Sequence, residues 1–237
     1  MNSAPGLAAS PALRFSWCAT FGIGTMLLAH AALAADVTVV LHDTSGAALE
    51  QAVVAVYAAG ALARSTGSTQ HILDQVNKQF VPRLLAIQVG DSVSFPNSDN
   101  IRHHVYSFSP ARSFELPLYA GIPSEPVTFD KAGKVVIGCN IHDRMSAHVY
   151  VVETPVYAVT EAGQHTFVGL VPGDYELAVF SPLQRAADDG SRRPLHVATQ
   201  AAQTMEVSLE LQAAKPADSA GLSPLELKFQ QLRDGAP

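Results

Sequence analysis

Charge is scarce in this chain. Of 237 residues only 15% are Asp, Glu, Lys or Arg, with 15 basic against 21 acidic side chains and a net charge of −6. No long basic run occurs, which argues against nucleic acid as a partner. Past the N-terminal region, no stretch approaches the ~20 apolar residues that a spanning helix needs. No Ser-His-Asp nucleophile signature, phosphate loop or second metal cluster is present, and no internal repeat is evident. Cysteine is rarer still, with two in the whole chain, Cys18 and Cys139.

The N-terminal region explains one of the two. Across residues 1–34 the only charged residue is Arg14; Phe15 to Leu33 is largely apolar, and Ala32-Leu33-Ala34 has the small-x-small form of a cleavage site. This is the layout of a secretory signal peptide; an uncleaved membrane anchor is the other reading of the same stretch. Cleavage predicts a soluble periplasmic protein with no membrane attachment, and Cys18 leaves with the leader. Cys139 then stands alone in a compartment where thiols are usually paired. It is an inert buried thiol, an intermolecular cross-link or a metal ligand.

What remains reads as all-β. Glycine (16) and proline (15) punctuate short runs rich in Val, Ile, Phe and Tyr, the pattern of many short strands. Val37-Val39-Leu41 and Val53-Val54-Val56 open the series, joined through a turn at Asp43-Thr44-Ser45-Gly46. Residues 59–70 are small and polar, a loop or linker. A second group runs from His71 to Val152 and a third from Tyr157 to Leu211, with a turn at Pro172-Gly173-Asp174. The tail, residues 212–237, holds one helix signal. Ser223-Pro224-Leu225-Glu226 combines an N-cap serine, a first-turn proline and a capping-box glutamate, and Leu225, Phe229 and Leu232 share one face. That helix docks on its own domain or serves a partner.

The chemistry concentrates in Cys139-Asn140-Ile141-His142-Asp143-Arg144-Met145. A thiol, an imidazole and a thioether fall within seven residues. Val135, Ile137 and Cys139 alternate on one strand face, the inner one. The following residues must leave the strand, because a period of two would put the first and fourth side chains on opposite faces. Sulfur with imidazole favours copper, and two His, one Cys and a weak axial Met describe an electron-transfer copper site. A structural zinc site would more often pair its cysteines and would not use a thioether. Met145 as a plain core residue is the competing reading. A second imidazole must come from another strand, and His103-His104 offers two; alternation puts them on opposite faces without saying which face meets the metal.

Val89-Gly90-Asp91-Ser92-Val93-Ser94-Phe95-Pro96-Asn97, followed by His103 six residues after Asn97 and by Val105, resembles the cupredoxin family. Phe80-x-Pro82 and Leu85 match its opening strand. Phe129, Gly133, Cys139, His142, Met145, Val149 and Val151 match its second signature. The Cys-x₂-His-x₂-Met spacing is closer to the short loop of the amicyanin type than to the longer plastocyanin type. The resemblance spans His71 to Val152 and implies a Greek-key sandwich with one type-1 copper held by His103, Cys139, His142 and axial Met145. It also gives His104 the place of a bracing Asn, and makes the edge of His142 the electron port, with Ile141 in an apolar patch and Arg102, Asp143 and Arg144 on the rim.

The flanks carry a second resemblance. Val-x-Val-x-Leu-x-Asp-x-x-Gly from Val37, then Ala52 to Val56, and later Thr160 to Gly163, Thr166-Phe167, Leu170, Pro172-Gly173 and Tyr175-x-Leu177-x-Val179, resemble a carboxypeptidase regulatory-like (transthyretin-like) sandwich. The expected organisation is a leader at 1–34, regulatory-like segments at 36–64 and 155–211, a copper domain at 70–153 inserted between them, and the tail. Pairing of Val53–Val56 with Tyr175–Val179 is the sign of insertion; pairing with the copper sheet is the sign of one enlarged sandwich. The expected function is single-electron transfer, without catalysis, to exported redox proteins such as a dehydrogenase or a c-type cytochrome. Copper sequestration or delivery and a non-catalytic binding module are the alternatives.

Overall fold

The computed structural model describes residues 34–58, 68–123, 125–142, 144–184, 190–199 and 202–212. The expected leader, most of the 59–70 linker, Asp143 and the tail helix lie outside them. Two strands open the described chain, β1 (Ala35–Asp43) and β2 (Val53–Ala58). Ten follow: β3 (Gln70–Ile72), β4 (Asp74–Val76), β5 (Gln79–Val81), β6 (Leu84–Gln88), β7 (Ser92–Ser94), β8 (His103–Ser109), β9 (Arg112–Tyr119), β10 (Val127–Thr128), β11 (Gly133–Cys139) and β12 (Ser146–Val152). Five close it: β13 (Tyr157–Val159), β14 (Gln164–Leu170), β15 (Gly173–Phe180), β16 (Arg192–Val197) and β17 (Gln203–Leu209). The fold class is all-β. Among the described residues no helix is long and apolar enough to cross a membrane.

The first two and last five strands make one sandwich. One sheet has the order β14-β1-β17, the other β13-β2-β15-β16. Val37, Val39 and Leu41 alternate inward from β1 and meet Val54 and Val56 of β2, Leu177 and Val179 of β15 and Val207 of β17 in a common core. The Asp43 turn forms as expected: its carboxylate accepts hydrogen bonds from the backbone of Ser45 and Ala47 and from the Ser45 hydroxyl. Gly46 takes a φ of 87°, where a Cβ would be strained. The turn carries the chain from one sheet to the other, since β1 and β2 lie in different sheets.

β2 pairs antiparallel with β15, Val54 opposite Val179 and Val56 opposite Leu177. The chain therefore leaves this sandwich after β2 and returns to it at β13. In between it builds a five-stranded sheet, β6-β12-β11-β8-β9, facing a three-stranded sheet, β10-β7-β3, with the β4-β5 hairpin alongside. Phe80, Phe95, Phe129, Val135, Ile137 and Val149 fill that second core. A small third cluster joins the two halves: Leu84, Ala86 and Tyr150, from the outer face of the five-stranded sheet, pack with Val53, Tyr157, Val159 and Phe180. The outer face of β6 and β12 is thus buried, while that of β8 and β11 carries exposed Phe108 and Val136.

Candidate metal centre

β11 delivers Cys139. Its burial alternates, with Val135, Ile137 and Cys139 inward, as the sequence pattern requires. β11 and β12 form a hairpin with Gly138 opposite Ser146, so Cys139 and Met145 stand beside each other at its tip. Two backbone bonds close the loop: Met145 N–H donates to the His142 carbonyl at 3.0 Å, and Cys139 N–H to the Met145 carbonyl at 3.2 Å. Cys139 and Met145 are both buried in the second core. His142, within the loop, is half-buried.

β8 supplies the other imidazole. It runs antiparallel to β11 with Val105 opposite Cys139, and His103, Val105 and Ser107 are its inward residues. His103 is fully buried. Its Nδ1 lies 3.7 Å from Cys139 Sγ, and His142 Nδ1 lies 3.8 Å from the same sulfur. The two rings are 5.1 Å apart. His104 points to the other face, where its Nε2 lies 2.8 Å from Glu115 Oε1 and its ring stacks against Tyr106. Of the two adjacent histidines it is His103 that reaches Cys139; His104 braces β9 rather than the ligand loop.

A bracing network surrounds His103. Asp99 Oδ2 lies 2.7 Å from His103 Nε2, and the same carboxylate accepts from the backbone N–H groups of Asn77 and Lys78. Burial pushes the Asp99 carboxyl up, but the bonds from Lys78, His103 and Asn77 outweigh it and hold it below the usual range. An ionised Asp99 accepts the Nε2 proton and leaves Nδ1 as the bare nitrogen facing the sulfur, which is the tautomer a metal ligand requires. Asn97 donates to the carbonyls of Ile101 and Tyr119 and ties the loop that leads to His103. Below it, fully buried Gln75 donates to the Phe95 and Pro96 carbonyls and to the Tyr119 hydroxyl. Tyr119 donates in turn to Phe95. Burial is the main reason its phenol is pushed up to about 12, partly offset by the bond from Gln75.

Sequence reasoning assigned no role to Asp99, Gln75 or Tyr119. Asp99 had a signal, a carboxylate four residues before a candidate ligand. Gln75 had none, because it reaches the site from a separate strand. His71 and His148 stand outside the group: His71 bonds to Asp91, and His148 is three residues beyond Met145 on the opposite face of β12 from the second core.

Among the described residues His103, Cys139 and His142 form the group able to hold a metal ion, their ligand atoms lying within 4.8 Å of one another. A thiolate and an imidazole bound to one small ion at zinc-like lengths of about 2.3 and 2.0–2.1 Å, spread at tetrahedral to trigonal angles, stand roughly 3.5–3.8 Å apart. The observed separations fit a shared ion and are long for a direct hydrogen bond. The donor set, one sulfur and two nitrogens with a thioether at the loop's end, fits copper by softness.

No family model matches the chain, and no curated protein matches it. Solved structures do match over part of its length. A mutant of amicyanin in the Cu(I) form is 20% identical, with 35% of this chain and 82% of that one covered and a TM-score of 0.32. The purple cupredoxin from Nitrosopumilus maritimus is 22% identical over 36% of this chain and 100% of its own, with a TM-score of 0.31. The Cu-containing nitrite reductase from Thermus scotoductus is 28% identical over 40% of this chain, with a TM-score of 0.33; the match covers 25% of the reductase.

Proposed function

We propose that this is an exported, periplasmic type-1 copper protein that passes single electrons, with one copper ion that would be held by His103, Cys139, His142 and Met145. The observation that carries the reading is the convergence of two imidazole Nδ1 atoms on one buried thiol. When bound, copper would supply one-electron exchange between Cu(I) and Cu(II) in a donor set acceptable to both. Cys139 gives up its proton to act as ligand. Asp99 fixes the His103 tautomer. The paired strands β8 and β11 hold His103 and Cys139 in register whatever the loop does. His142 is the member of the group that reaches solvent, so its ring edge is where a redox partner meets the site. Exposed Ile141 lies beside it in sequence, and exposed Ile122 follows Gly121, which is bonded to Asn97. Arg102 and Arg144 are also exposed and supply positive charge to the rim. Such a face suits a periplasmic dehydrogenase or a c-type cytochrome; the reading involves no nucleic acid, no membrane and no catalytic step.

The same proposal takes residues 70–153 as the copper domain and 36–64 with 155–211 as a host sandwich of carboxypeptidase regulatory-like type. The β2–β15 pairing on either side of the insertion supports it. The test is the absorption spectrum of the purified chain titrated with Cu(II), beside Cys139→Ser. The reading expects an intense visible thiolate-to-copper band that saturates at one equivalent and is absent from the variant. A chain that binds no copper, or binds it without that band, ends the proposal.

A further inference from the structure

A cleft of about 480 Å³ opens where the two sandwiches meet, a size that suits a small molecule. Main-chain bonds hold its walls. On the second sandwich β12 runs parallel to β6, with His148 beside Leu84, and His148 N–H donates to the Arg83 carbonyl at 2.9 Å. On the first, Leu49 N–H donates to the Leu41 carbonyl at 3.1 Å, and Gln184 N–H closes the turn at Ser181 by donating to its carbonyl at 3.1 Å. Leu49 and Leu84 line the cleft and are themselves buried, while Leu183 is half exposed there. The polar groups on this apolar lining are unevenly engaged. Arg83 is exposed in the cleft, and its side chain makes no ion pair or hydrogen bond with the described residues. The half-buried His148 ring beside it hydrogen-bonds to none of them either. The field at that wall is positive: the charges of Lys134 and Arg83 add to burial in keeping the ring neutral, and a neutral imidazole still offers one N–H. Of the acids on the lining, Asp43 has its carboxylate bonded within its own turn, and Glu50 is exposed.

We infer that the interlobe cleft binds a small amphipathic monocarboxylate, its apolar body against Leu49, Leu84 and Leu183 and its carboxylate on the Arg83 guanidinium beside the His148 ring. A guanidinium fork matches a carboxylate with two parallel charge-assisted bonds. The leucines supply the apolar lining that gives such a ligand most of its buried surface. The inference is independent of the metal reading, since His148 lies on the face of β12 turned away from the second core and Cys139.

Titration of the isotope-labelled full chain with phenylbutyrate, with its amide and with phenylbutylamine, followed through amide NMR shifts, tests it. The carboxylate is expected to move the amides of Leu49, Leu84 and His148 saturably, with a Kd of about 1 mM or tighter. It should bind about tenfold or more tightly than the uncharged amide. Arg83→Gln is expected to bring the carboxylate down to the amide's affinity, and Leu183→Asn to weaken both alike. Arg83 is exposed, so Arg83→Gln carries the test if Leu183→Asn fails to fold. Equal affinity for carboxylate and amide, a preference for the carboxylate that survives Arg83→Gln, or shifts at those three amides that do not saturate by about 10 mM would each overturn the inference. So would tighter binding of the amine, which would give the cleft to a cation through Glu50.

Discussion

Asp99 Oδ2 stands 2.7 Å from His103 Nε2 while His103 Nδ1 stands 3.7 Å from Cys139 Sγ. One buried imidazole is thereby held between a carboxylate and a thiol. The carboxylate decides which nitrogen keeps its proton and frees the other for the sulfur's side.

Asp99→Ala removes that decision. Copper affinity, read by competition with a chelator, is expected to fall about 10–100-fold, with the visible band weakened or shifted rather than abolished. An unchanged affinity would show that the Asp99 contact orders the loop without bearing on the ligand.

Met145→Leu separates the two readings of Met145. The swap nearly conserves volume in a buried position, so the cost in stability is expected to stay under ~1.5 kcal/mol. A thioether ligand predicts a changed reduction potential and spectrum at nearly constant Tm. Potential and spectrum both unmoved would leave Met145 as core packing alone.

Gly138 precedes the thiol, and a Cβ there would come within 2.9 Å of the Tyr106 ring. Gly138→Ala is expected to cost about 1–2 kcal/mol in thermal unfolding. Most of that should return in the Tyr106→Ala background, because the clash is with the ring and not with backbone. Equal cost in both backgrounds would place the strain elsewhere.

His148 is held down to about 4, chiefly by burial and secondarily by the charges of Lys134 and Arg83. Its folded value is below the unfolded one of about 6.5, so the unfolded chain binds a proton first as pH falls. The neutral ring's contribution is complete above about 6.5 and is lost between there and about 4. His148→Gln should flatten stability against pH in that window, by on the order of 1–2 kcal/mol after discounting for partial exposure. An identical slope in the variant would show that His148 does not set it; Asp91 and Asp99, whose folded values are lowered, lose their contribution only below the ordinary carboxylate value of about 3.9.

Much of the site was legible because it is local. Cys139, His142 and Met145 lie within one loop, and the alternation Val135-Ile137-Cys139 fixes the inward face of β11 without any knowledge of its partners. His103 against His104 was not legible from periodicity: both alternations are self-consistent, and the register of β8 against β11 decides. Asp99 and Gln75 act from loops and short strands where no period exists to read. The parallel pairing of β1 with β17 joins residues at opposite ends of the described chain and leaves no trace in either segment's own pattern. The turn at Asp43 was visible because the side chain that makes it is its neighbour.

β12 has almost no face turned to water. Ala147, Val149 and Val151 line the same core as Cys139, and Tyr150, behind them, rests 5.2 Å from the Phe180 ring across the junction. A fragment cut at residues 70 and 153 would keep its ligands yet carry a greasy flank of Leu84, Ala86 and Tyr150. Such an excised piece should self-associate unless those positions are first rewritten with polar side chains, a requirement for anyone trimming this protein to the half that holds His103, Cys139 and His142.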